Sequence, residues 1–178
     1  MDFYQKFYPK KVYKNVLEIK SDFLKENNIK AIFLDVDNTI IDYDNNVLEG
    51  IEEWIENLKK EGIKFCILSN TNKKTKAEKM SNLLNIPFVF FAIKPFKRGF
   101  NKAKQKIKIT DNSQIAVVGD QIMTDVFGAN RCNMYSILVE PIKSKDIFVT
   151  RFNRILERKI LNKYYNQEKR LKDVHKWY

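Results

Sequence analysis

The chain has 178 residues, 44% hydrophobic and 31% charged, which suits one soluble domain with a real core. No apolar run reaches the roughly 20 residues that span a bilayer, Met1-Asp2-Phe3-Tyr4-Gln5-Lys6 lacks the apolar core of a secretion signal, and a single histidine near the end, His175, weighs against a histidine-based triad. The net charge of +11 points to an anionic partner (membrane surface, nucleic acid or phosphorylated substrate), or reflects a composition biased toward Lys, Asn and Ile.

Residues 1–30 read as an N-terminal strap. Phe3, Tyr4, Phe7 and Tyr8 mix with Lys10, Lys11 and Lys14, which suits either a membrane interface or a segment packed on the domain with its lysines in water. Ser21 is placed to cap a short helix, Asp22 to Asn27. Ala31-Ile32-Phe33-Leu34 reads as a buried strand ending in Asp35-Val36-Asp37-Asn38-Thr39. Residues two apart on an extended backbone point the same way, so Asp35 and Asp37 can serve one site. Two carboxylates this close repel, and a divalent cation with oxygen ligands, most simply Mg²⁺, would offset that. Aspartate is also a nucleophile toward phosphoryl groups. The alternative is an acidic turn closing a strand.

About two dozen residues separate Thr39 from the next strand, too few for a separate lid domain. Asp42 and Asp44 belong to a polar turn, solvated or added to the metal site. Ile51, Trp54, Ile55 and Leu58 recur at helical spacing and Gly62 supplies a stop. Lys64 to Leu68 is the second strand, ending at Ser69-Asn70-Thr71-Asn72. Asn72 is placed to cap a helix carrying Ala77, Met80, Leu83 and Leu84. Ser69 and the free N–H groups there either hold a phosphate oxygen or do ordinary capping. Cys66 lies in an apolar run far from Cys132, with no disulfide framework or metal spacing, which suits a reducing, cytoplasmic location.

Phe88 to Ala92 reads as the third strand. Pro95 ends it and can aim Lys94 over the edge that carries Asp35, to neutralise a phosphoryl group, unless Lys94 is an exposed loop lysine. Lys97 and Arg98 extend a basic rim, and Phe100, Ala103 and Ile107 mark another helix. Ile115 to Val118 is the clearest strand and ends in Gly119-Asp120-Gln121-Ile122-Met123-Thr124-Asp125. Asp120 would approach a metal held by Asp35. Asp125 begins the next helix and either reaches the same ion, orients its water or caps the helix. Ser136 to Val139 is a fifth strand. From Thr150 to 178 the chain reads as a basic helix, with Phe152, Ile155, Leu156 and Ile160 on one side and Arg151, Arg154, Arg158, Lys159 and Lys163 around them. Such a helix lies on an anionic membrane or docks on the domain.

Strands alternating with helices predict one α/β domain over 1–178. It is Rossmann-like, with a five-stranded, mainly parallel sheet and helices on both faces. Asp-x-Asp-x-Thr after one strand, Ser after a second, Lys-Pro after a third and Gly-Asp-x-x-x-Thr-Asp after a fourth resembles the haloacid dehalogenase (HAD) superfamily of phosphatases, across residues 31 to 125. The resemblance implies roles. Asp35 would be the nucleophile, forming an aspartyl-phosphate. Asp37 would be the general acid and then the base that activates water. Thr39, Ser69 and Asn70 would position the phosphoryl group and Lys94 balance its charge. Mg²⁺ would be held by Asp35, Asp120, the backbone carbonyl of Asp37, and Asp125 directly or through water.

The short interval between the first two motifs resembles the minimal-cap branch, subfamily IIIA. Phe33 to Thr39, Gly119 to Val126, Gly128 to Arg131 and Arg151 to Arg158 are similar to YqeG-type proteins and related phosphatidylglycerophosphate phosphatases. That implies a lipid head-group phosphomonoester as substrate and contact with an anionic membrane through the basic terminal segments. Phosphatases of polynucleotide ends, sugars or nucleotides share the branch, although no nucleic-acid-binding module is visible. A phosphotransferase or a catalytically silent scaffold are the remaining alternatives. The intact Asp35, Asp37, Lys94 and Asp120 argue against a scaffold.

Overall fold

The computed structural model describes residues 3–143, 157, 159–166 and 169. Six strands form the sheet, all but the first built on short apolar runs: β1 (Lys11–Tyr13), β2 (Ala31–Leu34), β3 (Lys64–Leu68), β4 (Phe88–Val89), β5 (Ile115–Gly119) and β6 (Tyr135–Val139). Five helices join them: α1 (Ser21–Glu26), α2 (Ile51–Lys60), α3 (Lys74–Leu84), α4 (Lys97–Ile107) and α5 (Phe127–Arg131). All strands pair in parallel, in the order β1-β6-β5-β2-β3-β4. The sheet is thus the expected Rossmann-like α/β sheet with one strand more than predicted. The addition is β1, an edge strand donated by the N-terminal segment.

Central strands are covered on both faces, which is why β2 carries no polar residue. Ile32 and Leu34 join Trp54, Ile55 and Leu58 of α2 and Met80 and Leu84 of α3 on one face. Ala31 and Phe33 join Phe100, Ala103 and Ile107 of α4 and Ala129 of α5 on the other. The chain runs outward from β2 through β3 to β4, then returns to lay β5 on the other side of β2. The winding reverses between β2 and β5, and in open α/β sheets that reversal opens a ligand crevice at the carboxyl ends of the strands.

Phe7 and, in part, Tyr4 and Tyr8 are spent on packing. Phe7 is buried and stacks on Phe127 at 4.5 Å, within a cluster of Ile122, Val126, Leu138 and Ile160. Asn130 Nδ2 donates to the carbonyls of Lys6 and Tyr8, fixing the strap to α5. Of the helix expected from Thr150, residues 159–166 are helical and Ile160 is buried. Thr150, Arg151, Phe152, Arg154, Ile155, Leu156, Arg158 and the end of the chain lie outside the described residues. Among the described residues no helix is long and apolar enough to cross a membrane.

Two expected caps are corrected. The N-cap of α1 is Lys20, not Ser21, and that of α3 is Lys73, not Asn72; neither makes a side-chain capping bond. The third strand stops at Val89 rather than Ala92, because Phe91 and Ile93 take positive φ (48° and 55°), which breaks the ladder. No lid domain interrupts the sheet. Between β2 and β3 lie only α2 and a small flap held by the bridges Asp37–Ile41 and Ile41–Val47.

Candidate active site

Four strand ends converge at the reversal. Asp35 follows β2, Ser69 follows β3, Lys94 lies on the loop after β4, and Asp120 follows β5. The expected residues therefore share one edge. Asp35, Asp120 and Asp125 each present a carboxylate oxygen, all within 4.8 Å of one another. Lys94 Nζ donates to Asp35 Oδ1 and to Asp125 Oδ1, both at 2.6 Å, with its side chain 2% exposed. Lys94 is thus a buried site residue, not an exposed loop lysine.

Asp125 does not open a regular α-helix, as the sequence suggested. It sits in a π-helical turn, Ile122–Val126, preceding α5. That wider turn brings its carboxylate back over the strand tip, where Oδ2 accepts from Gln121 N and Thr124 Oγ1. A Cβ on Gly119 would lie 2.3 Å from Asp125 Cγ. Gly119 therefore serves here by leaving room for that carboxylate rather than by turning the chain.

Asn70 clamps the Lys94 backbone at both ends of its amide. Lys94 N donates to its Oδ1 (2.6 Å) and its Nδ2 donates to Lys94 O (3.1 Å). Expected among phosphate-binding residues, it is placed to position Lys94. Ser69 is fully buried and its Oγ accepts from Thr71 N. Thr39 is buried with no partner for Oγ1 among the described residues. Asp37 stands apart from the three clustered carboxylates, and its Oδ1 is paired with Lys76 of α3. Lys76 carries no motif and was missed; its one readable signal is its place in the first turn of the helix after Ser69.

Asp42 and Asp44 belong to the turn, not to the carboxylate cluster. Asp42 accepts from Asp44 N, Asn46 N and Asn46 Nδ2, and both carboxylates pair with Lys143. Those hydrogen bonds and the ammonium hold Asp42 well below the usual carboxylate range. The chain after β6 also holds the β2 loop: Ile142 N donates to Asn38 O and Lys143 N to Asn38 Oδ1. This supports the left-handed φ of 62° at Asn38.

Charge in the crevice is unbalanced. Three carboxylates, those of Asp35 and Asp125 buried and that of Asp120 half-buried, face one ammonium. Burial, with the neighbouring carboxylates, outweighs Lys94 and pushes Asp35 up to about 7. Burial and the charges of Asp35 and Asp125 push Asp120 up to about 8. Burial alone would lower Lys94, but Asp125 and Asp35 hold it above the ordinary lysine value. Asp120 Oδ1 is buried with no hydrogen-bond partner among the described residues. An orphaned oxygen in an all-oxygen donor set fits a hard divalent cation such as Mg²⁺. The arrangement can hold a dianion against Lys94, attack it with a carboxylate, and move a proton through the more exposed Asp37.

A model of the family described as mitochondrial PGP phosphatase matches residues 3–143. A relative from Bacillus subtilis (strain 168), named "Probable phosphatase YqeG", is 41% identical over 157 residues, covering 88% of this chain and 90% of that protein. A crystal structure of a "possible sugar phosphatase, HAD superfamily" from Cytophaga hutchinsonii ATCC 33406 superposes with a TM-score of 0.57 at 14% identity, over 80% of this chain and 95% of the other. An uncharacterized protein from Listeria monocytogenes serotype 4b superposes with a TM-score of 0.52 at 19% identity, over 67% and 85%. The two structures share the fold.

Proposed function

The chain belongs to the PGP phosphatase family and is a HAD-type phosphatase, and from that premise we propose that it removes the terminal phosphate of phosphatidylglycerophosphate, leaving phosphatidylglycerol. The observation that carries the chemistry is the meeting of Asp35, Lys94, Asp120 and Asp125 at one sheet edge. The family match supports the choice of substrate, and the short interval without a lid between β2 and β3 is in keeping with a head group presented from a bilayer.

Asp35 attacks phosphorus through a carboxylate oxygen while the bond to the lipid oxygen breaks, and Asp37 gives that oxygen its proton. Asp37, now a carboxylate, takes a proton from a water that attacks the aspartyl-phosphate. Inorganic phosphate leaves and the Asp35 carboxylate returns. Lys94 stabilises the transferring oxygens, Thr39 and Ser69 position them, and Asn70 holds Lys94 in place. The carboxylates of Asp35 and Asp120, the backbone carbonyl of Asp37, and Asp125 directly or through water would hold Mg²⁺, which when bound would supply the charge that lets a carboxylate approach a phosphoryl dianion.

The test is Mg²⁺-dependent phosphate release from phosphatidylglycerophosphate in mixed micelles, beside nucleotides, sugar phosphates and 3′-phosphorylated DNA, with Asp35→Asn as control. Preference for the lipid, lost in Asp35→Asn, supports the assignment. Preference for a soluble substrate or DNA removes it and keeps the phosphatase chemistry.

A further inference from the structure

The loop that delivers Lys94 inward also presents apolar side chains outward. Ala92 and Lys94 are buried, whereas Phe90 (38%), Phe91 (57%), Ile93 (40%) and Phe96 (58%) stand in solvent. These four make up most of the large exposed hydrophobics among the described residues, and they fall within seven consecutive positions. Scattered exposed apolar residues need no explanation, but a contiguous group does. The group is fixed beside the site, because Phe91 N donates to Thr71 O and Ala92 N to Ser69 O, both at 2.9 Å. Arg131 supports its far end, donating to Pro95 O and lying 6.0 Å from the Phe96 ring.

Cations flank this loop where helix stability disfavours them. Lys97 and Arg98 open α4, and Lys73 and Lys74 open α3; neither helix has an acidic residue in its first turn. The N-terminal end of a helix carries partial positive charge, so acidic residues are favoured there and cations repelled. All four are exposed and form no ion pair among the described residues. In a parallel α/β sheet these helix starts share the edge that carries Asp35. Outward aromatics ringed by cations match an anionic bilayer, whose interface takes aromatic rings and whose head groups take Lys and Arg.

We propose that the loop from Phe90 to Phe96 is a membrane-docking element that seats the mouth of the active site on an anionic bilayer, with its aromatics entering the interface and Lys73, Lys74, Lys97 and Arg98 facing the head groups. This rests on the reading of the substrate as a lipid held in that bilayer. It also gives the docking role to the site face rather than to Tyr4, Phe7 and Tyr8, which pack on the domain.

Sedimentation of the full chain with phosphatidylcholine vesicles, with and without phosphatidylglycerol, tests the proposal. The chain should partition to the anionic vesicles. Phe91→Asn with Phe96→Ser, which suit a left-handed residue and a helix N-cap, should weaken that partition by at least about tenfold. Lys97→Gln with Arg98→Gln should weaken it by about fivefold per cation, on anionic vesicles only. Hydrolysis of p-nitrophenyl phosphate should be unchanged in the Phe variant, reporting an intact fold and site. Failure of the wild type to bind anionic vesicles, or equal binding by wild type and the Phe variant, overturns the proposal; equal binding leaves the patch to a protein partner. A short-chain phosphatidylglycerophosphate kept below its micellar concentration separates the two readings. If it is not hydrolysed while vesicle binding depends on the loop, the substrate assignment falls and the docking element stands. If it is hydrolysed and binding ignores the loop, the reverse holds.

Discussion

Lys76, in the first turn of α3, is ion-paired with Asp37 across the mouth of the site. In the proposed reaction Asp37 leaves this partner to exchange a proton with the substrate, which would free the ammonium to face the phosphate. Lys76→Gln is expected to lower kcat/KM by about tenfold, mostly through KM, as for a contact that binds ground state and transition state alike. Both side chains are partly exposed, so folding stability should change by less than about 0.5 kcal/mol. Steady-state kinetics with urea melts measure both; unchanged kinetics would remove Lys76 from the site.

Lys94 is the buried counterpart. Replacing it with Met leaves Asp35 and Asp125 facing each other without their shared donor. Removing one member of a buried ion pair typically costs about 3–5 kcal/mol, and loss of a charge-stabilising group at a reacting phosphoryl about 10²–10³ in kcat. Chelator-treated urea melts should show the stability loss, and saturating substrate the kcat loss.

Gly119→Ala separates space from charge. The new Cβ would displace the Asp125 carboxylate without removing any ionisable group. A ligand shifted by about 1 Å can cost on the order of a hundredfold in rate. The variant should need more Mg²⁺ for half-maximal activity, read by titration of kcat/KM against the ion. An ordinary Mg²⁺ requirement would show that Asp125 is not held as described.

The pH dependence of stability follows from the raised carboxylates. In the metal-free fold Asp35 and Asp120 keep protons up to about 7 and about 8, whereas in the unfolded chain they lose them near about pH 4. The folded state therefore binds more protons between those values. This stabilising contribution is complete below the unfolded pKa and is lost as pH rises through the folded ones. The chelator-treated protein should melt at lower temperature at pH 9 than at pH 6. Mg²⁺ displaces those protons, so it should bind more tightly at the higher pH and remove most of the difference. Calorimetric melts with and without Mg²⁺ at both pH values give the sign directly.

The strands that bear the site were legible because each is an apolar run stopped by a polar residue, as at Leu34–Asp35 and Gly119–Asp120. β1 was not, since Lys11-Val12-Tyr13 is a three-residue edge strand whose one cation and one aromatic read equally as a strap. Ser21 and Asn72 have good capping chemistry, yet α1 and α3 begin at positions where neither caps, because tertiary packing outweighs a cap of about 1 kcal/mol. Lys143 reaches the β2 loop from 105 residues beyond Asn38. Lys76 reaches Asp37 from a helix surface. Neither has a local pattern, and only the folded chain brings them in.

In the proposed mechanism Asp35 carries the phosphoryl group. Acid-quenched turnover of phosphatidylglycerophosphate with Mg²⁺, followed by borohydride reduction and peptide mass mapping, tests it most directly. A reduced residue is expected at position 35 and none elsewhere, absent in Asp35→Asn and accumulating in Asp37→Asn, where the base for hydrolysis is lost. Substrate turnover with an unmodified Asp35, or a label on any other side chain, would contradict it.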